Sequence, residues 1–453
     1  MQKIQSIQIQ YVLSLVLLLF CWNCSPPGIV EREALHKYDG GSSGTEMHQE
    51  ANQVSETRSH EKATKEPKST DAGQEQKAPD HEESFEEKVI SEQHVSEPLP
   101  EQIYNFQGWS RGDSSQNTSA GIGVVVDAHG NIIITGFFSG TMDFGRFKLS
   151  PQSGQDLFVA KLNSKGQWLW ARFAGSKRKG YSHGIAVDSQ GDIIVIGEFN
   201  GRVEFGKNQL NSKGGADVFV AKISASGKWL WAKSAGSIYG DRGNAVAVDK
   251  QGNIFITGRF QKTADFGGIQ LKSQGINVPY NLFVAKLDSK GKWLWAKRKG
   301  ALTGRSIAID TKGNIVLTGW FYDTADFGGS KLASTSKNHE IFAAKLDGVG
   351  SELWVRRIGA PRAVAGYGDG IVVDAQDNII LSGILSHSGK LEGSQIELKD
   401  CKDTFIAKLA SSGNWLWAKC IKKVRSWHIN DPYKGKRLNV DAQGNIFITG
   451  YFE

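Results

Sequence analysis

The sequence predicts an all-β fold: a β-propeller of four-stranded antiparallel blades, five complete and a sixth incomplete. Two observations carry this. An Asp recurs at Asp127, Asp188, Asp249, Asp310, Asp374 and Asp441, at intervals of 61, 61, 61, 64 and 67 residues, the self-similarity that marks a repeat architecture. Each period also holds four short runs of strand character, and a sheet of that size cannot bury both faces alone, a problem that stacking copies around an axis solves.

The second copy shows how each element arises. Gly184–Asp188 is small and β-branched, Asp192–Phe199 is an Ile/Val run, and Val218–Ile223 and Trp229–Lys233 are rich in Val, Phe, Trp and Leu, residues that favour strands. D-x-x-G-D or D-x-x-G-N separates the first two runs; Asp can bond backbone amides ahead of it, and Gly tolerates positive φ. S-x-S-G-K or its equivalent separates the last two. Both read as tight hairpin turns. The spacing from Trp170 to Asp188 and from Trp231 to Asp249 matches that from Trp109 to Asp127, which assigns Gln107–Arg111 as a lone fourth strand ahead of the first full set. At the other end only strands one and two follow the fifth set: either the sequence is a truncated product of a longer ring, the favoured expectation since native chains usually cover an open edge within a sheet, or the last blade is defective.

The chain divides into three parts: 1–24 a signal peptide, 25–101 an acidic tether, 102–453 the repeats. Tyr11–Phe20 is almost wholly aliphatic, shorter than the roughly 17 to 25 residues that span a bilayer, so it reads as an export signal. Cys24, followed by Ser25 and two prolines, is a lipidation candidate. The tether lacks apolar periodicity and cannot offset its ordering entropy, so disorder is expected. The first hundred residues hold 9 basic and 17 acidic side chains; with +7 over the whole chain, the remainder carries +15. A basic body favours anionic partners.

The copies VDAHGNIIITG from Val126, VDKQGNIFITG from Val248, IDTKGNIVLTG from Ile309 and VDAQGNIFITG from Val440, with DLFVAKLNSKG from Asp156, NLFVAKLDSKG from Asn281 and DTFIAKLASSG from Asp403, resemble the bacterial SBBP β-propeller repeat family. The resemblance spans about 121–453. It implies an exported or surface protein of propeller fold and carries over no catalytic residue. The family name implies seven blades, whereas five whole ones are counted here.

Candidate sites sit on the repeat. The pairs Trp168/Trp170, Trp229/Trp231, Trp293/Trp295 and Trp415/Trp417, with Trp354 alone in the fourth copy, are expected on one face of the strand, since residues i and i+2 share a face; packing between blades is their expected role. Asp127, Asp188, Asp249, Asp310, Asp374 and Asp441 are expected to cap turns rather than hold calcium, which wants six to eight oxygens. The bases Arg172, Lys233, Lys297, Arg356 and Lys419, and Lys161, Lys222, Lys286, Lys345 and Lys408, either form a positive belt or are absorbed by the Trp faces and repeat carboxylates. Cys401 and Cys420 flank a hairpin and read as a disulfide. Lys177, Arg178, Lys179, Tyr181 and His183, and likewise Trp427 and His428, are placed in blade-connecting loops as candidates for an idiosyncratic ligand surface.

No G-x-S-x-G, H-E-x-x-H or P-loop occurs, so the expected protein is not an enzyme but an envelope-displayed or secreted scaffold for a protein or an acidic polysaccharide. It needs no cofactor or metal, has no specific nucleic-acid partner, and meets a membrane only through an N-terminal lipid. The alternatives are a carbohydrate-active or lyase-type enzyme using the channel, favoured by convergent carboxylates, His or Tyr at one mouth, and a structural module of a larger surface protein.

Overall fold

The computed structural model describes residues 119–152, 154–274, 280–300, 303–334, 339–359, 366–386, 388–399, 401, 404–421 and 437–449, and every regular element among them is a β-strand. The segments expected as export signal and tether, Cys24, the strand expected at Gln107–Arg111, and Trp427 and His428 lie outside these residues.

The first repeat runs β1 (Ser119–Val126), β2 (Ile132–Phe138), β3 (Met142–Phe144), β4 (Phe147–Leu149), β5 (Asp156–Leu162) and β6 (Trp168–Ser176). Strands β1, β2, β5 and β6 pair antiparallel in that order as a blade, while β3 and β4 form a separate hairpin. The second is β7 (Lys179–Val187), β8 (Ile193–Phe205), β9 (Asn208–Ile223) and β10 (Trp229–Ala235); its hairpin is continuous with the long β8 and β9. The third has blade strands β11 (Arg242–Val248), β12 (Ile254–Phe260), β15 (Asn281–Leu287) and β16 (Trp293–Lys299), with hairpin β13 (Thr263–Phe266) and β14 (Ile269–Lys272). The fourth has β17 (Thr303–Ile309), β18 (Ile315–Phe321), β21 (Glu340–Leu346) and β22 (Glu352–Gly359), with β19 (Thr324–Asp326) and β20 (Lys331–Ala333). The fifth has β23 (Gly366–Val373), β24 (Ile379–Leu385), β27 (Thr404–Leu409) and β28 (Trp415–Ile421), with β25 (Gly389–Leu391) and β26 (Glu397–Leu398). A final pair, β29 (Arg437–Val440) and β30 (Ile446–Thr449), begins a sixth. The chain is therefore a β-propeller of five full four-stranded blades and part of a sixth.

The extra hairpin is not foreseen from the sequence, and from the second blade to the fifth it fastens each blade to the one before. Gly175 and Ser176 of blade one pair with Glu204 and Val203 of blade two. Gly236 bridges Asp265, Gly300 donates to the Asp326 carbonyl at 2.7 Å, and Ile358 and Gly359 pair with Leu391 and Lys390. Apolar layers fill the space between blades. Between the first and second, Leu157, Val159 and Trp170 meet Ile193, Val195 and Phe199; the same arrangement recurs as far as Leu438 of β29, which packs with Ile380 and Ile406.

The Trp pairs do not share a face. In β6 Leu162 opposes Trp168 and the adjacent Lys161 opposes Trp170, so one extra residue is accommodated as a bulge, which recurs in β10, β16, β22 and β28. A bulge inverts the alternation beyond it. Trp168, Trp229 and Trp293 therefore turn onto Phe144, Phe205 and Phe266 of their own hairpins, edge to face at 4.8, 5.0 and 5.4 Å. The second Trp turns to the next blade. Trp170, Trp231 and Trp354 donate to the carbonyls of Ala225, Ser289 and Ser411, and Trp170, Trp231, Trp295 and Trp354 lie against Gly227, Gly291, Gly350 and Gly413. Where the fourth copy has Glu352, its carboxylate instead accepts from the Gly329 and Ser330 amides of the hairpin turn.

The repeated Asp organises the opposite corner. Asp127 accepts from the His129 and Asn131 amides and from Asn131 Nδ2, and Asp188, Asp249, Asp310, Asp374 and Asp441 cap their turns in the same manner. Lys161, Lys222, Lys345 and Lys408 meet Asp127, Asp188, Asp310 and Asp374 at 2.8–2.9 Å, and Lys286 lies over the Phe255 ring. Arg172 and Arg356 donate to the Gly227 and Gly413 carbonyls. Four of the ten expected belt cations are thus neutralised by carboxylates, and three more are held by carbonyls or a ring. Cys401 and Cys420 form a disulfide with Cα atoms 5.7 Å apart.

Candidate functional site

A repeat supplies its own control. Positions that agree in every copy serve the fold common to all blades, so positions where the copies disagree are free for other work. Four such columns lie together. Seven residues before the repeated Asp stand Ala120, Tyr181, Arg242, Thr303 and Tyr367; five before it stand Ile122, His183, Asn244, Arg305 and Asp369. After the invariant Gly of the second strand come Phe137, Glu198, Arg259, Trp320 and Ile384; just ahead of the third strand come Gln155, Tyr280 and His339, with Ala216 at the same place in the repeat but inside the longer β9.

The topology brings all four columns to one end. Strand one begins, strand two ends and strand three begins there, while the Asp-capped turns lie at the other end. Register places Tyr181 opposite Glu198, Arg242 opposite Arg259 and Thr303 opposite Trp320. Each first strand also carries a bulge at its second variable position, between Ser182 and Gly184, Gly243 and Ala245, Gly304 and Ser306, and Gly368 and Gly370. Packing forces the neighbouring glycines: a Cβ on Gly304 would stand 2.1 Å from Thr257 Oγ1, and one on Gly368 2.3 Å from Thr318 Oγ1.

The second and third blades form the polar half. Arg242 Nη2 lies 3.2 Å from His183 Nδ1, and His183 Nε2 lies 3.5 Å from Glu198 Oε1. A guanidinium only donates, so Nδ1 accepts and the imidazole proton sits on Nε2, facing the carboxylate. Burial and Arg242 lower the His183 pKa to about 4. Burial would raise that of Glu198, but His183, Arg242 and Arg259 outweigh it and hold the carboxyl at about 2. At neutral pH this is a neutral imidazole between two fixed charges. Arg259 lies over Tyr280 at 4.2 Å, its buried Nε without a hydrogen-bond partner among the described residues. Arg305 meets Asp369 at 3.5 Å.

The fourth and fifth blades form the aromatic half. Trp320 stands 4.3 Å from the His339 ring and 5.5 Å from Tyr367, and His339 Nδ1 lies 2.8 Å from the Tyr367 hydroxyl. Tyr322 is exposed beside them. Burial lowers the His339 pKa, while burial and Asp369 raise that of Tyr367. Among the sequence candidates, Tyr181 and His183 belong to this end, but as buried residues of β7 and not of a loop. The bulge turns His183 inward under Arg242, which a loop reading could not anticipate. Lys179 opens β7, and only Lys177 and Arg178 occupy the turn before it. Glu198, Arg242, Arg259, Arg305, Trp320, His339 and Tyr367 were not singled out from sequence.

No family model matches the chain. A WD repeat-containing protein of Acanthamoeba polyphaga mimivirus is 22% identical over 359 residues, which covers 63% of this chain and 26% of that protein. The regulatory protein FlaEY of Caulobacter vibrioides is 25% identical over 175 residues, covering 37% and 18%. The chain thus spans about a quarter or less of the length of these curated relatives. Solved structures similar to it include a gluconolactonase from Xanthomonas campestris, at 15% identity and TM-score 0.30, covering 71% of this chain and 87% of that one. A luciferin-regenerating enzyme is similar at 12% identity and TM-score 0.34, covering 73% and 83%. The class defined is the β-propeller; the likeness to SBBP repeats remains a resemblance. One expectation is corrected here. These propellers bear enzyme names, so the lack of familiar hydrolase and nucleotide motifs does not set this chain among noncatalytic ones.

Proposed function

We propose that the chain is an exported, envelope-displayed propeller that binds an acidic glycan across the end where its variable columns converge. The observation that carries this reading is the placement of Arg242 directly opposite Arg259, with Arg305 on the next inner strand. Like charges facing each other across a strand pair are unfavourable, and Glu198 and Asp369 offset only part of three guanidinium charges. An added carboxylate completes the balance. Trp320 and Tyr322 supply faces for sugar rings, and Arg binds carboxylates with two parallel donors.

The test is binding of the full chain to hyaluronan at several salt concentrations. Arg259→Gln and Arg305→Gln are each expected to weaken binding about 10- to 100-fold, the range for a lost charge-assisted hydrogen bond, and to flatten its salt dependence. Unchanged affinity in both variants refutes the reading.

A further inference from the structure

We propose that this end also cleaves its glycan by β-elimination, with His339 and Tyr367 carrying the proton from the sugar's C5 to the departing C4 oxygen. The inference rests on the binding reading above and adds an activity to it. Its first support is a comparison inside the molecule. Gln155 and Tyr181 occupy, between blades one and two, the places that His339 and Tyr367 occupy between blades four and five, and there Gln155 accepts the Tyr181 hydroxyl proton. An amide thus suffices where the tyrosine needs only a partner. An imidazole in the same place brings proton-transfer capacity that the fold does not require.

The surroundings suit the chemistry. Trp320 at 4.3 Å and exposed Tyr322 flank the imidazole, and Arg305 reaches β23 through Asp369, two residues along from Tyr367. A uronate carboxylate held by Arg305 makes the C5 hydrogen more acidic. With the Tyr367 hydroxyl donating to His339 Nδ1, the phenol oxygen is the base. It takes the C5 proton as its own proton passes to Nδ1; the C5–H electrons form the C4–C5 double bond as the C4–O bond breaks. Tyr367 then gives a proton to the leaving oxygen and recovers its own from Nδ1. Both side chains end neutral, as they began, and neither water nor an oxidant is consumed. The lowered His339 pKa and raised Tyr367 pKa keep both groups in the forms needed.

The geometry also selects the substrate. One oxygen, held 2.8 Å from His339 Nδ1, both takes the C5 proton and returns a proton to the C4 oxygen, so the elimination runs on one face of the ring. Elimination from one face requires the C5 hydrogen and C4 oxygen to be syn, as in gluco- and manno-configured uronates. In galacturonate they are anti.

The experiment incubates the full chain with hyaluronan and, separately, with polygalacturonate, following the ultraviolet absorbance of the conjugated alkene, new reducing ends and, independently, binding. Expected are alkene and reducing ends in step from hyaluronan and none from polygalacturonate. Tyr367→Phe should lower turnover by about 100-fold or more, the usual scale for general acid–base catalysis, with affinity kept within about threefold; His339→Gln, the pairing that Gln155 and Tyr181 show to be compatible with the fold, should do the same. Hyaluronan bound but never converted overturns the activity and leaves binding standing, as does turnover unaffected by both variants. Reducing ends without alkene mean hydrolysis and overturn it too. Failure to bind hyaluronan removes the binding reading and this one together.

Discussion

At the scale of single residues, two buried titratable groups act on stability with opposite sign. His183 titrates near 6.5 when unfolded and at about 4 when folded, so between those values the unfolded chain binds more protons. Stability is therefore full above pH 6.5 and is lost progressively as pH falls toward 4. The loss comes to about 3 kcal/mol, since each tenfold difference in proton affinity is worth about 1.4 kcal/mol. Urea unfolding of His183→Gln across pH 4 to 7 should show a correspondingly shallower acid loss than the parent; equal slopes would exclude His183 as the cause. Asp217 runs the other way. Burial first, and then Asp241, raise its pKa to about 7, and its Oδ1 has no hydrogen-bond partner among the described residues. The folded state there holds the extra proton, so this contribution falls as pH rises from about 4 to 7. Asp217→Asn should stabilise the protein at pH 8, on the order of 2–4 kcal/mol, and change little at pH 4.

At the scale of the element, the blade depends on a buried pair and a close approach. Lys161 and Asp127 are almost fully buried and 2.9 Å apart. Lys161→Met leaves the carboxylate unpaired and should cost about 3–5 kcal/mol; Asp127→Asn in the same chain should recover part of it, and a double variant no better than the single would show that the pair is not coupled. Much of this was legible in the sequence, because an Asp turn and a strand of fixed composition recur at a steady period. The third-strand Lys could be placed near those carboxylates for the same reason. The hairpin of β3 and β4 was not legible: two three-residue strands around Gly145 are too short to show alternation. The bulge was hidden for a subtler reason, since Trp-Leu-Trp satisfies period-two alternation on paper while the ladder counts one residue fewer. The one sign was Leu169, Leu230, Leu294, Leu353 and Leu416, each kept apolar though exposed. The site escaped because recurrence drew attention to positions that agree, whereas Glu198, Arg259 and Trp320 stand where the copies disagree.

At the scale of the molecule, each blade leaves its faces to be covered by its neighbours. Phe199 and Phe219 of blade two pack with Val159 of blade one, while Ile196 and Val220 pack with Ile256 and Phe283 of blade three. The hairpins add a backbone link at the same boundaries. Loss of one blade therefore exposes apolar surface on both sides, and local damage should spread. The disulfide offers the cleanest trial because it closes one hairpin of one blade, across 19 residues of sequence. Opening it restores loop entropy to the unfolded chain worth about 3 kcal/mol. If the blades are coupled, Cys401→Ser with Cys420→Ser lowers the midpoint of a single transition that tryptophan fluorescence and far-ultraviolet dichroism report alike. If they were independent, the fifth blade would melt first as a separate phase, with Trp415 and Trp417 the early reporters. Coincident curves at a lower midpoint support coupling through the shared apolar layers; two resolved phases would mean that each sheet stands without its neighbours, against the burial seen at every boundary.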